Sequence, residues 1–337
     1  MNNNNKSMTR IVYKKKKKKT KKRILTFLFL VLLTAVTYFS YMGIKTYQAL
    51  NNSYNEERKT SALREEPVYV SNDPFSVLIM GIEDYSGEHD TGRADTLLVA
   101  TFNPTKQTMK LLSIPRDTMV TIADLDKKDK INHSYATGGK DRVIRTVENF
   151  LNIPIDYYVS VNFKGFVNIV DELGGVEVEV PFSFNDINSK WERFYFKKGL
   201  QELNGEEALV YARMRKKDPR GDFGRNERQR QIVIGLIDRL SSPKILWKID
   251  DLAEVVGENV ETNMSIKEAI AFRKKYSEFN TSKIKQLELK GEDYYSKRNI
   301  YYFIPDEEEL EMVKSELRSH LDLPTDESDD NSQEDEQ

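Results

Sequence analysis

The amino-acid sequence predicts an α/β fold, in which a single domain holds a mixed central β-sheet between helical layers. Apolar runs of strand length alternate with segments of helical periodicity over about 250 residues of the chain. The strand-like runs are short and continuously apolar, which is typical of a sheet that is covered on both faces. An uncharged N-terminal stretch also predicts a single transmembrane helix in front of this domain.

The strands and helices of this domain follow from local patterns. Strands are predicted at residues 75–82, 96–103, 109–115, 155–162, 176–180 and around 285–289. Apolar residues at helical spacing predict helices at 140–151, 163–173, 265–279 and 306–320. Asn204 is a candidate N-cap for a helix over GEEALVYAR, and a long helix is predicted from Asn226.

The N-terminal 44 residues have the pattern of a membrane anchor. Nine of the ten residues from 14 to 23 are basic, and the 21 residues from 24 to 44 carry no charge. A helix of this length crosses a bilayer core of roughly 30 Å. A cleaved signal peptide is the alternative, but its apolar region would be shorter, about 7–15 residues. The basic run before the span indicates a cytoplasmic N-terminus and an extracellular domain, a single-pass type II arrangement in the cell membrane.

The chain therefore divides into five predicted segments. They are a cytoplasmic basic tip (1–23), a transmembrane helix (24–44), a polar stalk (45–72), an extracellular domain (73–322) and a disordered acidic tail (323–337). The tail is assigned as disordered because it holds seven acidic residues and no basic one after Pro324.

What the sequence lacks excludes several kinds of active site. It contains no cysteine, which excludes a thiol nucleophile, a disulfide framework and a zinc ribbon. No serine-hydrolase elbow, HExxH zinc motif or Walker A loop occurs in it. The three histidines lie far apart, and His133 is interpreted as a scaffold residue. The remaining candidates for chemistry are carboxylates and guanidinium groups.

Carboxylates and arginines cluster at the ends of three predicted strands, where α/β sheets bind ligands. They are Glu83 and Asp84 after the first strand, Arg93 and Asp95 before the second, and Arg116 and Asp117 after the third. Oxygen ligands together with arginines suit a hard cation and a phosphate group. The alternative is that they form surface ion pairs, since 31% of the residues are charged.

The stretch RMRKKDPRGDFGRNERQR, residues 213–230, contains eight basic residues and three acidic ones. Arg213 and Arg215 are two residues apart, so an extended chain would direct both to one face. Arg225, Arg228 and Gln229 fall in the first turns of the next helix and share a face, where free N–H groups and the helix dipole favour an anion. We interpret the stretch as a diphosphate site, with a solvated charged face as the alternative. Three further basic residues are expected to face water: Lys216, Lys217 and Arg220.

These residues lie within motifs that resemble the LytR–CpsA–Psr family, in particular its teichoic acid transferases. The motifs are, in chain order, GRADTLLVATFNP, LLSIPRDT, DKINHSYATGG and KGLQELNGEEALVYARMRKKDPRGDFGRNERQRQ. The resemblance runs from about residue 73 to residue 237. It implies a phosphotransferase that moves an anionic cell-wall polymer, such as wall teichoic acid, from an undecaprenyl diphosphate carrier to a muramic acid hydroxyl of peptidoglycan.

The resemblance also implies roles for individual residues. The family's metal-binding carboxylates correspond to Asp95 and Glu83; the family usually has Asp at the latter position, so Asp84 is an alternative ligand. The expected ion is Mg²⁺, with Mn²⁺ as a substitute. The diphosphate-binding residues correspond to Arg93, Arg116, Arg213, Arg215, Arg225, Gln229 and Lys130. The residues expected to act in catalysis are Asp95, which is also the preferred candidate for the base, Arg116, Arg213 and Arg215.

A polyprenyl tail requires an apolar channel between the sheet and the helices. Candidate lining residues are Phe163, Phe166, Ile169, Val170, Val233 and Ile237, and each of them has ordinary core packing as the alternative. The expected partners are the lipid-linked glycopolymer, peptidoglycan and the membrane, and nucleic acid is not expected. Two other functions stay open: a noncatalytic cell-wall or polyprenyl-phosphate binding protein, and a membrane-tethered transcriptional attenuator.

Overall fold

The computed structural model describes residues 34, 36–38, 40–49, 51–55, 60–83, 92–242, 245, 248–276 and 279–324. The chain divides into two units, residues 1–48 and 49–337, and the described residues of the first unit are helical. Among the described residues, no helix has the length and apolar character needed to cross a membrane. Most of the predicted span at 24–44, the basic tip and the tail from residue 325 lie outside the described residues.

The second unit contains fourteen strands and seven helices within its described residues. The strands are β1 (Phe75–Glu83), β2 (Arg93–Asn103), β3 (Thr108–Ser113), β4 (Met119–Ile122), β5 (Lys127–Lys130), β6 (Tyr157–Asn162), β7 (Val176–Val180), β8 (Phe184–Ile187), β9 (Arg193–Phe196), β10 (Gly199–Leu203), β11 (Val260–Thr262), β12 (Ile284–Glu288), β13 (Gly291–Tyr295) and β14 (Tyr301–Pro305). The helices are α1 (His133–Leu151), α2 (Phe163–Glu172), α3 (Gly205–Arg213), α4 (Asp222–Ser241), α5 (Ile249–Asn259), α6 (Ile266–Lys275) and α7 (Glu307–His320).

The central sheet has six strands in the order β11-β6-β1-β2-β3-β12. Its neighbours β1 and β6 run parallel, as do β3 and β12, whereas β2 is antiparallel to both β1 and β3. The prediction of a mixed sheet is therefore confirmed. The chain can form this sheet because β1, β2 and β3 are apolar on both faces, as strands covered by two helical layers must be.

Alternate residues of β1 enter two different cores. Leu78 and Met80 pack in a cluster with Val143 and Val147 of α1, on one face of the sheet. Residues 75, 77 and 79 face the opposite cluster, against which side chains of α4 and α6 pack. A strand alternates its side chains between faces, so this division places helices on both sides of the sheet. The predicted α/β architecture with helical layers is thus confirmed.

Part of the predicted stalk packs against the domain. Ser61 is 2% exposed and its hydroxyl donates a hydrogen bond to Glu148, and Arg64 pairs with the buried Asp156 at 3.0 Å. Val70 is 2% exposed and belongs to the core. The polar composition of residues 45–72 led to the expectation of a separate stalk. The structure differs at residues 61–70 because single polar residues there pair with buried carboxylates.

Candidate active site

Asp95 lies at a β-bulge in the second strand. Across the β1–β2 ladder Gly81 pairs with Thr96, but the next residue, Ile82, pairs with Ala94, so Asp95 is the extra residue of β2. A bulge turns one side chain out of the regular alternation, and bulges are frequent beside active sites. The bulge therefore explains how a carboxylate in a strand reaches a cleft at the edge of the sheet.

Glu83 and Arg93 lie opposite each other at the same end of the β1–β2 ladder. Glu83 Oε1 accepts a hydrogen bond from Arg213 at 3.0 Å, and Glu83 also lies within hydrogen-bonding reach of Asp95. The Arg93 side chain is exposed. The prediction that Arg93 and Asp95 precede the second strand is wrong, because β2 begins at Arg93. Polar residues continue the strand there since their backbone pairs with β1.

Asp95 is held by two donors besides its contact with Glu83. Its Oδ2 accepts a hydrogen bond from Arg116 Nη1 at 2.7 Å, and its Oδ1 accepts one from Asn132 Nδ2 at 3.1 Å. Burial alone would raise the pKa of Asp95, but the hydrogen bond with Glu83, the charge of Arg116 and the Asn132 donor together lower it. These contacts favour the ionised form of Asp95.

Asn132 is a site residue that sequence reasoning missed. It occupies the N-cap position of α1, yet its side chain makes no capping hydrogen bond and donates to Asp95 instead. Its Oδ1 is buried and has no hydrogen-bond partner among the described residues. Periodicity predicted this helix only from residue 140. The structure begins it at His133, with a kink at Gly138 and Gly139 that hides the first turns from the periodic pattern.

Asp222, the first residue of α4, joins two of the predicted diphosphate-binding arginines. Its carboxylate lies 2.8 Å from Arg225 Nη2 and 3.2 Å from Arg215 Nε. Burial lowers the pKa of Arg225, and the nearby charges of Arg116 and Arg215 act in the same direction. The structure thus brings Arg116, Arg215 and Arg225 together. Asp222 was missed as a site residue, because the long helix was predicted only from Asn226.

Three further predicted phosphate ligands lie in different elements and differ in burial: Arg213, Gln229 and Lys130. Arg213 is the last residue of α3, and its guanidinium stacks over the ring of Phe163 at 4.5 Å. Gln229 lies buried on α4, one turn after Arg225. Lys130 Nζ donates to Asp117 Oδ1 at 2.5 Å. The helix predicted over GEEALVYAR ends at Arg213, so the chain is not extended at Arg213 itself and leaves the helix at Met214.

The site is nearly balanced in charge within the protein. Its cations are Arg116, Lys130, Arg213, Arg215 and Arg225, and the carboxylates that face them are Glu83, Asp95, Asp117 and Asp222. Each cation has a carboxylate within 3.2 Å, which fixes its position before a ligand arrives. Some carboxylates are shared, since Asp117 faces both Arg116 and Lys130, and Asp222 faces both Arg215 and Arg225.

Glu83 and Asp95 are the described carboxylates that fit a divalent cation. No group of three or more His, Cys, Asp or Glu side chains is arranged to hold a metal in the described part of the chain. Two carboxylates in contact nevertheless repel each other unless a proton or a cation lies between them. The buried Asn132 Oδ1 adds a further oxygen beside Asp95. The alternative ligand Asp84 lies outside the described residues.

The candidate lipid-lining residues divide between two apolar clusters. Val170 is buried in the cluster formed with β7 and α3, and Phe166 packs against it. Val233 and Ile237 of α4 pack against the cluster on the sheet face that contains Tyr157. Ile169 is half-buried. Core packing accounts for Val170, and a role of the others in lipid binding stays a prediction.

Comparisons with known proteins show the family of this chain. The chain is 50% identical over 313 residues to the polyisoprenyl-teichoic acid–peptidoglycan teichoic acid transferase TagV of Bacillus subtilis strain 168, covering 91% of this chain and 80% of that protein. The crystal structure of B. subtilis TagV matches with a TM-score of 0.69 and 52% identity, over 75% of this chain and 99% of that one.

A structure of TagT bound to LIIa-WTA matches with a TM-score of 0.66 and 34% identity, over 80% of this chain and 99% of that one. The model of the LytR_cpsA_psr family matches residues 37–319, which contain every described site residue. The resemblance seen in the sequence motifs is confirmed, and the chain belongs to the LytR–CpsA–Psr family.

Proposed function

We propose that this protein is a phosphotransferase that moves an anionic cell-wall polymer from a polyprenyl diphosphate carrier to a hydroxyl of peptidoglycan. The observation that carries the proposal is the convergence of Arg116, Arg215 and Arg225 on one carboxylate-lined cleft. Three guanidiniums at one place match the several oxygens of a diphosphate. The names of TagV and of TagT bound to LIIa-WTA support the choice of wall teichoic acid as the polymer.

The arginines act by stabilising charge on the reacting phosphate. In the reaction the acceptor oxygen forms a bond to the phosphorus that carries the polymer, and the bond to the lipid phosphate breaks. Polyprenyl phosphate leaves with the bonding electron pair, and the hydroxyl proton passes to a carboxylate and then to water. Guanidiniums that are already oriented in a partly buried site stabilise the developing negative charge without further reorganisation.

Asp95 serves better as a charged ligand than as a strong base. Its lowered pKa keeps it ionised at neutral pH and makes its affinity for a proton low. With Glu83 and the Asn132 side-chain oxygen it would hold Mg²⁺ or Mn²⁺, which supplies positive charge to the diphosphate when it is bound. Arg116 keeps the Asp95 carboxylate in place through the 2.7 Å hydrogen bond.

The proposed function includes a membrane anchor at the N-terminus. A span at residues 24–44 would keep the catalytic domain at the extracellular surface, where the carrier and peptidoglycan meet. The apolar residues of α2 and α4 would then receive the polyprenyl tail. Fusion of alkaline phosphatase after residue 60 tests this topology: activity is expected, and an inactive fusion would favour the transcriptional attenuator.

Transfer in vitro tests the activity itself. The full chain in detergent micelles is mixed with a defined lipid-linked donor and peptidoglycan oligomers, and released polyprenyl phosphate is measured. We expect release that EDTA abolishes and Mg²⁺ restores. Release unaffected by EDTA would reject the metal, whereas donor binding without release would favour the noncatalytic binding protein.

A further inference from the structure

A hairpin rich in tyrosine borders the arginine cluster. Its strands β13 and β14 place Tyr295 opposite Tyr301 and Asp293 opposite Phe303. Directly opposite residues share a face of the hairpin, as do residues two apart in a strand. These four side chains therefore lie together on what we call the inner face. The neighbouring Tyr294 lies on the opposite, outer face.

The inner face is directed towards a cleft that contains Asp117 and Asp222, the carboxylates that pair with Lys130, Arg215 and Arg225. The buried ring of Phe303 meets that of Phe223 edge-on at 5.6 Å, in the first turn of α4. Tyr301 lines the same cleft as Asp117 and Asp222. The backbone N–H of Phe303 also donates to the carbonyl of Asp117 at 2.9 Å, which attaches the hairpin to the segment after β3.

Aromatic surface extends from this cleft to open solvent. The hydroxyl of Tyr301 donates to Asp293 at 2.8 Å, and the ring of Tyr295 lies 5.5 Å from that of Tyr301. Tyr295 is 60% exposed, whereas Phe303 is 1% exposed. Lys130 Nζ stands 5.8 Å from the Tyr301 ring centre. The inner face thus extends from solvent to Tyr301 beside Lys130, which also lies 5.7 Å from the ring of Tyr302 on the outer face.

We propose that the inner face is the binding platform for the acceptor glycan, a strand of N-acetylhexosamines that presents its hydroxyl to the diphosphate. The inference rests on the proposed function. A pyranose ring has an apolar C–H face and a polar rim, which suits tyrosine rings with an apolar body and a hydroxyl. A long strand requires an open surface, and Tyr295 supplies one at the rim of the cleft.

Position, rather than charge, favours the acceptor over the donor polymer. The hairpin's charges balance, with Glu292 and Asp293 on its first strand and Lys297 and Arg298 in its turn. The donor is held through its diphosphate by the arginine cluster, so the two substrates approach the reacting phosphorus over different surfaces.

Two adjacent tyrosines give a matched test. Tyr295→Ala removes the exposed ring of the inner face, and Tyr294→Ala removes a ring from the outer face that is 42% exposed. With the full chain in detergent micelles, calorimetry measures the Kd of a soluble GlcNAc–MurNAc oligosaccharide, and kinetics give KM for acceptor and donor separately. Tyr295→Ala is expected to raise the acceptor Kd and KM by roughly 2- to 12-fold. Tyr294→Ala is expected to change neither.

The outcomes separate this inference from its rivals. Equal values for the two variants would overturn the platform, and a rise confined to the donor KM would assign the surface to the donor's sugar instead. Weaker binding of Tyr295→Ala to anionic vesicles, with unchanged glycan affinity, would make it a membrane contact. If the wild-type chain binds the oligosaccharide through Tyr295 but transfers nothing, the platform stands and the proposed transfer fails.

Discussion

The two ends of the basic stretch at 213–230 both carry arginines, but these arginines are exposed at one end and buried at the other. The side chains of Arg213 and Arg215 are 37% and 41% exposed and border the cleft. Arg228 is 1% exposed and pairs with Asp218, whose side chain is fully buried. Each arginine faces a carboxylate, so pairing alone does not distinguish them. What differs is whether a ligand can reach the guanidinium.

Arg228 makes its hydrogen bonds inside the protein, and these bonds fix the chain segment that carries Arg215. Its guanidinium donates to the backbone carbonyls of Tyr211 and Met214 as well as to Asp218. These acceptors lie at the end of α3 and in the segment that leads to α4, on either side of Arg215. Asp218 approaches α4 so closely that any side chain at Gly224 would overlap it. A run of positive charge is therefore not one surface. Burial alone does not decide the role of each residue, because Arg225 of the diphosphate site is also buried but lies beside Arg116 and Arg215.

The largest effect is expected from the buried end. Arg228→Ala leaves the Asp218 carboxylate buried without its partner, which typically costs about 3–5 kcal/mol. For a domain of this size the Tm should fall by roughly 6–20 °C. Thermal unfolding of the full chain, followed by circular dichroism, measures this. A variant that also carries Asp218→Asn should recover part of the loss, because the uncompensated charge is gone.

Arg220→Ala is the matched control for stability. Arg220 carries the same charge in the same stretch, but its side chain is 49% exposed and pairs with Glu227 at the surface. Its removal should change the free energy of unfolding by less than about 0.5 kcal/mol. Equal losses of stability for Arg220→Ala and Arg228→Ala would show that burial of the arginine does not determine the cost of removing it.

The sequence predicted most of the apolar strands, but not which arginines of the basic stretch are buried. Apolar runs located β1, β3 and β6, the segment VEVEV located β7, and Asn204 is the N-cap of α3 as predicted. The hairpins β4–β5 and β13–β14 were missed, because strands such as KKDK and GEDYY lack apolar alternation. The buried state of Arg228 was missed for a similar reason: its partner Asp218 lies in a different element, and no local period connects them.

The second-largest effect is expected at Asp95, the carboxylate that pairs with Arg116. Asp95→Asn keeps the shape of the side chain but removes its charge, so turnover should fall by more than about 100-fold. The fold should persist, because the amide can still accept a hydrogen bond from Arg116. Polyprenyl phosphate release and the Tm, measured on the same sample, check both statements. Near-normal turnover would contradict the metal role of Asp95.

Parallel variants identify the partner of Asp95. Glu83→Gln should reduce turnover and raise the Mg²⁺ concentration needed for half-maximal activity, because Glu83 lies within hydrogen-bonding reach of Asp95. If Asp84→Asn produces this shift and Glu83→Gln does not, the second ligand is Asp84. This pair was left open by the sequence, since two adjacent carboxylates follow the same strand.

The third-largest effect is expected at Arg215, which we propose contacts the diphosphate. Arg215→Ala removes a contact to a charged group, which typically costs about 1.5–3 kcal/mol, or roughly 10- to 150-fold in kcat/KM for the donor. Arg215→Lys should rescue poorly, because an ammonium lacks the planar fork that matches two phosphate oxygens. Full rescue by lysine would indicate that only the charge matters.

The smallest effect is expected from the middle of the stretch. Lys217 lies two residues after Arg215 and is exposed, and its Nζ donates to the backbone carbonyl of Asn185 at 2.6 Å, in β8. It is engaged outside the cleft, so Lys217→Ala should change kcat/KM by less than about twofold. Lys216→Ala and Arg220→Ala should behave alike, since both side chains are exposed. These variants remove the same charge as Arg215→Ala from the same stretch. If Lys217→Ala lowered kcat/KM as much as Arg215→Ala, the stretch would act as a diffuse positive field. The distinction between residues that contact the diphosphate and residues that do not would then be wrong.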